Sequence, residues 1–257
     1  MKRWTFVSVL LLTASFLISC TSARPGHTLM TYNIRHGVGL DGKLDLERTA
    51  RVIRSTNPDI VILNEVDHST LRSFGVEQAD SLGSLLQMDA RFGRSIDYDG
   101  GQYGNALLTR YPIISFEIID LSTDSLLEGR SVFIAHLGVE NDTMVIMGTH
   151  LGLKIEERVA QVTRILQALP NQHKLILAGD FNFEPESVTY HLLMQRLKDT
   201  HHPSEGGPRF TFPANAPKRR IDYIFIGSGI QLLNDTQVDH DELQIASDHR
   251  PLTIRFK

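Results

Sequence analysis

The sequence predicts an α/β fold in which strands and helices stack in layers. Short apolar runs with the length of buried strands recur along the chain, for example Ile60-Val61-Ile62-Leu63. Segments with apolar residues at helical spacing alternate with these runs, most clearly between Ile155 and Leu169. The pattern has no break, and 257 residues fit one large α/β domain. We therefore expect a single layered domain.

The elements follow in order along the chain. Asp45 is placed to cap a first helix, which Asn57-Pro58 ends, and further helices are predicted within 76–88 and 155–169. The turn at Glu140-Asn141-Asp142 predicts a hairpin, and the stretch 201–220, rich in Pro and Gly, predicts a surface loop. The predicted strands are 29–32, 60–63, 105–109, 113–119, 131–137, 143–148, 175–178, 221–226 and 252–256.

Composition and charge exclude several classes of protein. Hydrophobic residues make up 41% and charged residues 22%, which is typical of a globular protein and argues against disorder. The net charge of −4 provides no global basic field for nucleic acid, although the cluster Lys218-Arg219-Arg220 leaves a local patch open. A single cysteine allows neither an intrachain disulfide nor a cysteine-based zinc cluster.

Residues 1–20 have the physical form of a signal peptide. Lys2 and Arg3 precede an apolar stretch from Phe6 to Ile18, shorter than the roughly 20 residues of a membrane span. The ending Leu17-Ile18-Ser19-Cys20 resembles the lipobox of bacterial lipoproteins, which implies cleavage before Cys20 and a lipid on its thiol. We expect a tether over 21–27, a domain over 28–257 and a lipid-anchored location in the cell envelope, outside the cytoplasm. A secreted protein with an incidental cysteine is the alternative.

Polar side chains repeatedly follow or open the predicted strands. This placement is informative because sheet edges hold ligand and catalytic groups rigidly while loops leave room for substrate. One such residue alone is weak, since Asn and Asp often begin turns after strands. The set is Asn33, Asn64, Glu65, Thr149, His150, Asp180, Asn182, Asp222, Asp248 and His249.

The residue types in this set select a chemistry. Glu65, Asp180, Asp222 and Asp248, with Asn33 and Asn182, form a hard, oxygen-rich group that suits Mg²⁺ or Mn²⁺ rather than zinc. His150 and His249 can donate protons or hydrogen bonds to a phosphoryl group. Covalent catalysis is poorly supported, because the sequence has no Gly-x-Ser-x-Gly elbow and its cysteine lies in the leader. It also contains no P-loop.

Together these motifs resemble the endonuclease/exonuclease/phosphatase superfamily, which includes exonuclease III-like and deoxyribonuclease I-like nucleases, neutral sphingomyelinases and inositol polyphosphate phosphatases. The resemblance covers residues 28–257 and follows the family's order. Gly179-Asp180-Phe181-Asn182 with Ser247-Asp248-His249 is its most specific pair. The other matching segments are 30–37, 58–67, 104–112, 148–151, 220–224 and 250–252.

The resemblance implies a four-layer α/β sandwich, in which two packed mixed β-sheets are flanked by helices, and metal-assisted in-line attack of water on a phosphoester. It implies that Glu65 is the principal metal ligand, that Asn33 helps at the metal or phosphate, and that Asp222 and Asp248 occupy further acidic positions. It implies that Asp180 positions or deprotonates the water, while Asn182 and His150 bind the phosphate and His249, oriented by Asp248, stabilises charge. The identity of the base and the number of metals stay open.

Two positions depart from the family pattern. Asn64 stands where the family often has Gln before the metal-binding Glu. Arg35 stands where the nuclease branches often carry an acidic residue. These departures weaken a close match to the abasic-site repair enzymes and to two-metal schemes that use that acid.

The substrate is the least determined feature. Tyr103 and Asn105 either line the cleft or belong to a glycine-rich turn that leads into a strand. Arg130 either reaches a phosphate or forms an exposed salt bridge. The leading hypothesis is a monomeric, metal-dependent phosphodiesterase or phosphatase. A nuclease that scavenges DNA or RNA is the alternative, which the acidic net charge does not favour. A non-catalytic binding module is a remote third hypothesis.

Overall fold

The structure is a computed structural model that describes Met1 and residues 26–201, 209–238, 240 and 242–257. Apart from Met1, the predicted leader lies outside the described residues, as do residues 21–25 of the predicted tether. None of the helices in the described part of the chain has the length and apolar character needed to cross a membrane.

Two six-stranded sheets form the centre of the molecule. The first contains β1 (His27–Asn33), β2 (Ile60–His68), β3 (Asp89–Tyr98), β4 (Gly101–Thr109), β11 (Leu232–Gln237) and β12 (Leu252–Phe256), in the order β11-β12-β1-β2-β4-β3. The second contains β5 (Ile113–Asp120), β6 (Ser131–Val139), β7 (Asp142–His150), β8 (Leu175–Asp180), β9 (Lys198–Asp199) and β10 (Asp222–Ile226), in the order β5-β6-β7-β8-β10-β9.

The helices are α1 (Leu46–Arg54), α2 (Gln78–Leu86), α3 (Ile155–Ala168), α4 (Val188–Met194) and α5 (Leu243–Ala246). Apolar side chains between the sheets form a central core that includes Ile62, Phe133 and Ile176. α1 and α2 pack on the outer face of the first sheet, and α3 and α4 pack on that of the second. The predicted four-layer α/β sandwich with two mixed sheets is confirmed.

Each sheet has one parallel pair of strands at its centre, β1 with β2 and β7 with β8, and its other pairs are antiparallel. The register pairs Asn33 with Asn64 in one sheet and His150 with Asp180 in the other. The carboxyl ends of both parallel pairs therefore lie at one pole of the sandwich. β1 begins at the opposite pole, where the His27 Nδ1 atom lies 2.6 Å from the Tyr111 hydroxyl.

The local predictions hold best where the sequence is apolar or capped. Asp45 caps α1, because its carboxylate accepts a hydrogen bond from the Arg48 backbone N–H at 2.8 Å. The strands β2, β7 and β8 extend beyond their predicted ends because the polar residues there still belong to the strands, whereas β4, β10 and β12 end where predicted. The edge strands β3, β9 and β11 lie outside the predictions because their short or polar sequences lack the apolar run of a central strand.

The predicted loop over 201–220 contains no helix or strand in its described part, residues 201 and 209–220, but it does not lie wholly at the surface. Thr211, Ala214 and Arg220 are buried there. The Ala214 backbone N–H donates to the Asp248 carbonyl at 2.7 Å, and the Phe212 ring lies 5.0 Å from that of His249. Part of this segment therefore forms a wall beside the predicted site residues.

Candidate active site

A buried amide joins the two sheets at the site pole. The Asn64 Nδ2 atom donates to the Asn105 Oδ1 atom at 2.7 Å and to the Thr149 carbonyl at 2.9 Å, and Asn64 Oδ1 accepts from the Asp180 backbone N–H at 2.9 Å. Asn64, which the sequence places among the polar residues after strands and among the departures from the family pattern, lies at this junction. It fixes Asp180 of the second sheet against β2 of the first.

Glu65 leaves the regular path of β2. The strand has an irregularity between Leu63 and Val66, and Glu65 takes a left-handed conformation with a φ of 56°. This conformation is uncommon for a non-glycine residue and typical of functional sites. Its Oε1 atom accepts a hydrogen bond from Asn33 Nδ2 at 3.0 Å. Burial raises the pKa of Glu65, and the Asn33 hydrogen bond acts in the opposite direction.

Asn33 connects two carboxylates. Besides Glu65, its Nδ2 atom contacts the Asp180 Oδ2 atom at 3.1 Å, while its Oδ1 atom accepts the Arg35 backbone N–H at 3.0 Å. The amide oxygen is therefore engaged by the backbone, and the nitrogen faces the carboxylates. The expectation that Asn33 helps at the metal or phosphate stays a prediction, since its Oδ1 atom keeps a second lone pair beside the Arg35 N–H.

Asp180 lies at the centre of the site and is 1% exposed. Gly179 before it has a φ of 145°, and a Cβ atom there would lie 1.9 Å from the Thr149 carbonyl oxygen, so only glycine allows β7 and β8 to approach this closely. Burial raises the pKa of Asp180 to about 7, which the positive charge of His249 opposes. The carboxyl group is thus suited to exchanging a proton near neutral pH.

His249 is held by a carboxylate. Its Nδ1 atom lies 2.9 Å from Asp222 Oδ2, and its Nε2 atom lies 3.6 Å from Asp180 Oδ2. Burial lowers the pKa of His249, but the charges of Asp222 and Asp180 outweigh it and raise that pKa to about 10. The imidazole is therefore a cation at neutral pH.

The prediction that Asp248 orients His249 is wrong. Asp248 lines the same cavity as His249, but its Oδ2 atom lies 3.7 Å from the Arg35 Nε atom and its Oδ1 atom accepts from the Ser247 hydroxyl at 3.4 Å. The carboxylate that holds His249 instead comes from Asp222, the first residue of β10. Asp222 is 2% exposed and does not line the cavity described below, so it lies behind His249.

His150 has the opposite electrostatic environment. Asn182 Nδ2 donates to the Leu151 carbonyl at 2.9 Å and contacts His150 Nε2 at 3.1 Å, so the same amide is the donor to both. The ring proton of a neutral His150 then lies on Nδ1. Burial and the charges of Arg130 and His249 hold the pKa of His150 well below its ordinary value. The Nε2 atom lies 3.4 Å from Asp180 Oδ2.

These groups open into one cavity of about 460 Å³, the size of a small-molecule site. The predicted site residues that line it are Glu65, Tyr103, Arg130, His150, Asp180, Asn182, Asp248 and His249. Arg130 is 6% exposed and pairs with Glu128, so it is not the exposed surface partner that was its alternative. Asn105 lies behind the wall, where its side chain bonds Asn64 and the Ser131 carbonyl. Asn33 and Asp222 also lie behind the lining residues.

The donor set fits a hard divalent cation. Glu65, Asp180 and Asp248 offer carboxylate oxygens to one cavity, and these are the ligands that Mg²⁺ and Mn²⁺ prefer. Ligand atoms of Asp180, Asp222 and His249 also lie within 4.8 Å of one another. In that second group, however, the imidazole already pairs with Asp222, which favours an ion pair over a metal. Glu65 and Asp248 line the same cavity and are the remaining carboxylates of the predicted set that could hold a cation.

The cavity has further lining residues that the sequence did not predict. They include His36, Arg72, Tyr98, Glu128, Phe212 and Arg219. Arg219 is one of the three residues of the basic cluster and bonds Glu184 at 3.0 Å, whereas Arg220 is buried and bonds Asp199 at 2.7 Å. Such residues have no local motif, because remote loops bring them to the cavity. Spacing alone could not have found them.

This combination of a four-layer sandwich and a carboxylate–imidazole cavity defines a class of protein. The chain belongs to the Endonuclease/Exonuclease/phosphatase family, whose profile matches residues 30–249.

Relatives of known sequence and structure span nearly the whole chain. The chain is 28% identical over 242 residues to the uncharacterized protein YbhP of Escherichia coli K12, which covers 89% of this chain and 95% of YbhP. A mannosyl-6-phosphatase from Bacteroides thetaiotaomicron has a TM-score of 0.73 and 17% identity, over 90% of this chain and 99% of its own. The human Nocturnin catalytic domain, solved with a sulfate anion, has a TM-score of 0.72 and 23% identity, over 91% of this chain and 95% of its own. At these identities the two structures share the fold.

Proposed function

We propose that this protein is a phosphatase or phosphodiesterase that uses Mg²⁺ or Mn²⁺ and hydrolyses its substrate by in-line attack of water. The observation that carries the proposal is the position of Asp180. It lies between a cationic His249 and a neutral His150, at 3.6 and 3.4 Å, and shares the Asn33 amide with Glu65. Family membership supports the hydrolysis of phosphoesters.

Glu65 and Asp248 would hold the metal ion, with Asp180 beside them. When bound, such an ion neutralises phosphoryl charge and lowers the pKa of a coordinated water. Asn33 supports this arrangement because it keeps the Glu65 and Asp180 carboxylates at fixed positions around its Nδ2 atom. The left-handed backbone at Glu65 turns its carboxylate into the cavity and away from the regular strand pattern.

Asp180 accepts the proton of the attacking water in this proposal. Its raised pKa matches that task, since a base works best when its pKa is near the working pH. The amides of Asn33 and of the Asn182 backbone hold its two oxygen atoms, at 3.1 and 3.0 Å. The carboxylate is therefore fixed before substrate binds.

His249 donates its Nε2–H to a phosphoryl oxygen as negative charge develops there. Asp222 behind it accepts the Nδ1–H, keeps the ring charged and fixes its orientation. A fixed donor in a site that excludes water stabilises the transition state without reorganisation. The neutral His150, whose Nε2 atom contacts the Asn182 amide, borders the other side of Asp180.

The proposed location is outside the cytoplasm, with the domain held at a membrane by a lipid on Cys20. The leader sequence, which ends in Leu17-Ile18-Ser19-Cys20, supports this part of the proposal. Replacement of Cys20 by Ala should release the protein from the membrane fraction. A variant that stays in that fraction would contradict the lipid anchor.

A phosphoester panel tests the activity. Purified protein is assayed with Mg²⁺ or Mn²⁺, with and without chelator, on aryl phosphates, sugar phosphates, phospholipids and plasmid DNA. We expect metal-dependent hydrolysis of small esters that the chelator abolishes. Inactivity on every phosphoester with metal present would favour a binding module. Degradation of DNA with a steep salt dependence would favour a nuclease.

A further inference from the structure

The cavity has a second wall that the proposed chemistry does not use. It consists of Arg72, Tyr98 and Tyr103, which we call the Arg72 wall. The Arg72 guanidinium lies 4.5 Å from the centre of the Tyr98 ring and 5.4 Å from that of Tyr103. Tyr98 is 43% exposed and Tyr103 is 8% exposed, so the wall extends from the mouth into the cavity.

Arg72 is fixed in place by a buried carboxylate. Its Nε and Nη2 atoms donate to the two oxygens of Asp67 at 2.8 and 2.7 Å, and the Asp67 side chain has no solvent exposure. Thr70 and Ser73 hydroxyls donate to the same carboxylate at 2.7 and 2.5 Å. Among the described residues, no hydrogen bond engages the Arg72 Nη1 atom. The wall thus offers a rigid, planar donor beside aromatic faces.

The charges around the cavity limit what this donor can recognise. In the described part of the chain, each arginine that lines the cavity already pairs with a carboxylate: Arg72 with Asp67, Arg130 with Glu128 and Arg219 with Glu184. Binding of a second phosphate or of a polyanion requires cations that are not already neutralised. The Arg72 wall therefore favours an uncharged group that accepts hydrogen bonds and has an apolar face.

We propose that the Arg72 wall binds the non-reacting part of the substrate and that this part is a sugar or polyol, so that the substrate is a monophosphate ester of such a compound. This inference rests on the proposed function. A ring hydroxyl accepts the Nη1–H of Arg72, and apolar C–H groups of the sugar pack against the exposed part of Tyr98 that the Arg72 guanidinium does not cover. The cavity volume of about 460 Å³ accommodates one such ring beside the phosphoryl group.

The test compares two esters with the same kind of leaving group. A hexose monophosphate esterified at its primary carbon and ethyl phosphate both release a primary alcohol, but only the hexose reaches the Arg72 wall. We expect kcat/KM to be at least about tenfold higher for the hexose ester. In Tyr98→Ala that advantage should fall to about twofold or less, while kcat/KM for ethyl phosphate stays within about twofold.

Two further variants separate recognition from folding. Arg72→Lys keeps a cation beside Asp67 but loses the planar fork, and the hexose preference should fall about tenfold. Arg94→Ala is the matched control, because Arg94 pairs with Asp97 on the same strand as Tyr98 and does not line the cavity. It should leave both esters unchanged. Thermal unfolding of each variant identifies any loss that comes from misfolding.

The outcomes distinguish this inference from the function on which it rests. Equal kcat/KM for the two esters, or a Tyr98→Ala variant that keeps the hexose preference, overturns the role of the wall and leaves the hydrolase proposal intact. A preference of about tenfold or more for a hexose bisphosphate over the monophosphate overturns the charge argument. Failure to hydrolyse either ester, in a protein that hydrolyses other members of the phosphoester panel, overturns this inference alone, whereas inactivity on the whole panel overturns the proposed function and this inference together.

Discussion

The two histidines beside Asp180 are equally buried, but their pKa values are shifted in opposite directions. His150 and His249 are 6% and 5% exposed and lie at similar distances from Asp180 Oδ2. Burial lowers the pKa of both rings. For His249 the Asp222 and Asp180 carboxylates overcome that effect, whereas His150 faces Arg130 and the cationic His249. The comparison teaches that the partner of a buried imidazole, more than its depth, decides whether it is a cation.

Removal of the cationic histidine should have the largest effect. We expect His249→Gln to lower kcat by about 10²–10³-fold, because the developing phosphoryl charge loses its charged donor. The measurement is steady-state hydrolysis with metal present, together with thermal unfolding. His136→Gln is the matched control, since His136 is on β6, bonds Ser115 and lies away from the cavity. A folded His249→Gln variant with normal turnover would remove His249 from the mechanism.

Removal of the Asp222 carboxylate should make the electrostatic environment of His249 more like that of His150. In Asp222→Asn the pKa of His249 should fall, because the carboxylate that raised it is gone. We expect about 10–100-fold lower kcat/KM. In the wild-type profile, activity rises as Asp180 loses its proton and falls as His249 loses its proton near pH 10. The alkaline limb should therefore move to lower pH in the variant.

The control for that experiment is a second Asp–His pair outside the cavity. Asp235 Oδ2 lies 2.9 Å from His201 Nδ1, and neither residue lines the active-site cavity. Asp235→Asn should leave the pH profile unchanged. An alkaline limb that stays in place in Asp222→Asn would show that His249 does not set it.

Placing a carboxylate beside His150 is the reverse change, and it should make the electrostatic environment of His150 more like that of His249. We expect this variant to have the smallest effect on activity. Asn182→Asp places a carboxylate beside His150 Nε2, where Asn182 Nδ2 lies at 3.1 Å. The pKa of His150 should rise, because an adjacent negative charge favours the imidazolium. Titration by NMR measures the shift, and kcat/KM should fall about tenfold since the new charge repels the phosphoryl group. An unchanged His150 pKa would contradict the electrostatic account.

The sequence predicts the centre of this molecule better than its edges. Apolar runs identify β1, β2, β7, β8 and β12, because a strand buried on both faces must be apolar throughout. β3 was missed since its Arg and Asp residues are exposed at a sheet edge and interrupt any apolar run. Residue propensities cannot identify β3, because this strand is stabilised by its pairing with its one neighbour, β4.

The candidate site likewise contains residues that local sequence patterns predict and residues that they do not. Residues at the ends of central strands, such as Asp180 and His150, were predicted from local patterns and lie together in the cavity. The predicted partner of a site residue was wrong where it was chosen because it is close in sequence. Asp248 was paired with His249 because it precedes it, but the structure brings Asp222 from β10 to the imidazole. Arg72 and Tyr98 have no local signal, since a loop and a strand end bring them to one wall.

The direction of β1 has a consequence for access to the enzyme. Its seven residues, at about 3.3 Å each, separate His27 at one pole from Asn33 at the other. In a protein tethered through Cys20, the attachment would be at the base of the domain and the cavity would open to the aqueous phase. Water-soluble esters would then enter by diffusion, whereas headgroups of the anchoring bilayer would lie beneath the opposite end of the sandwich.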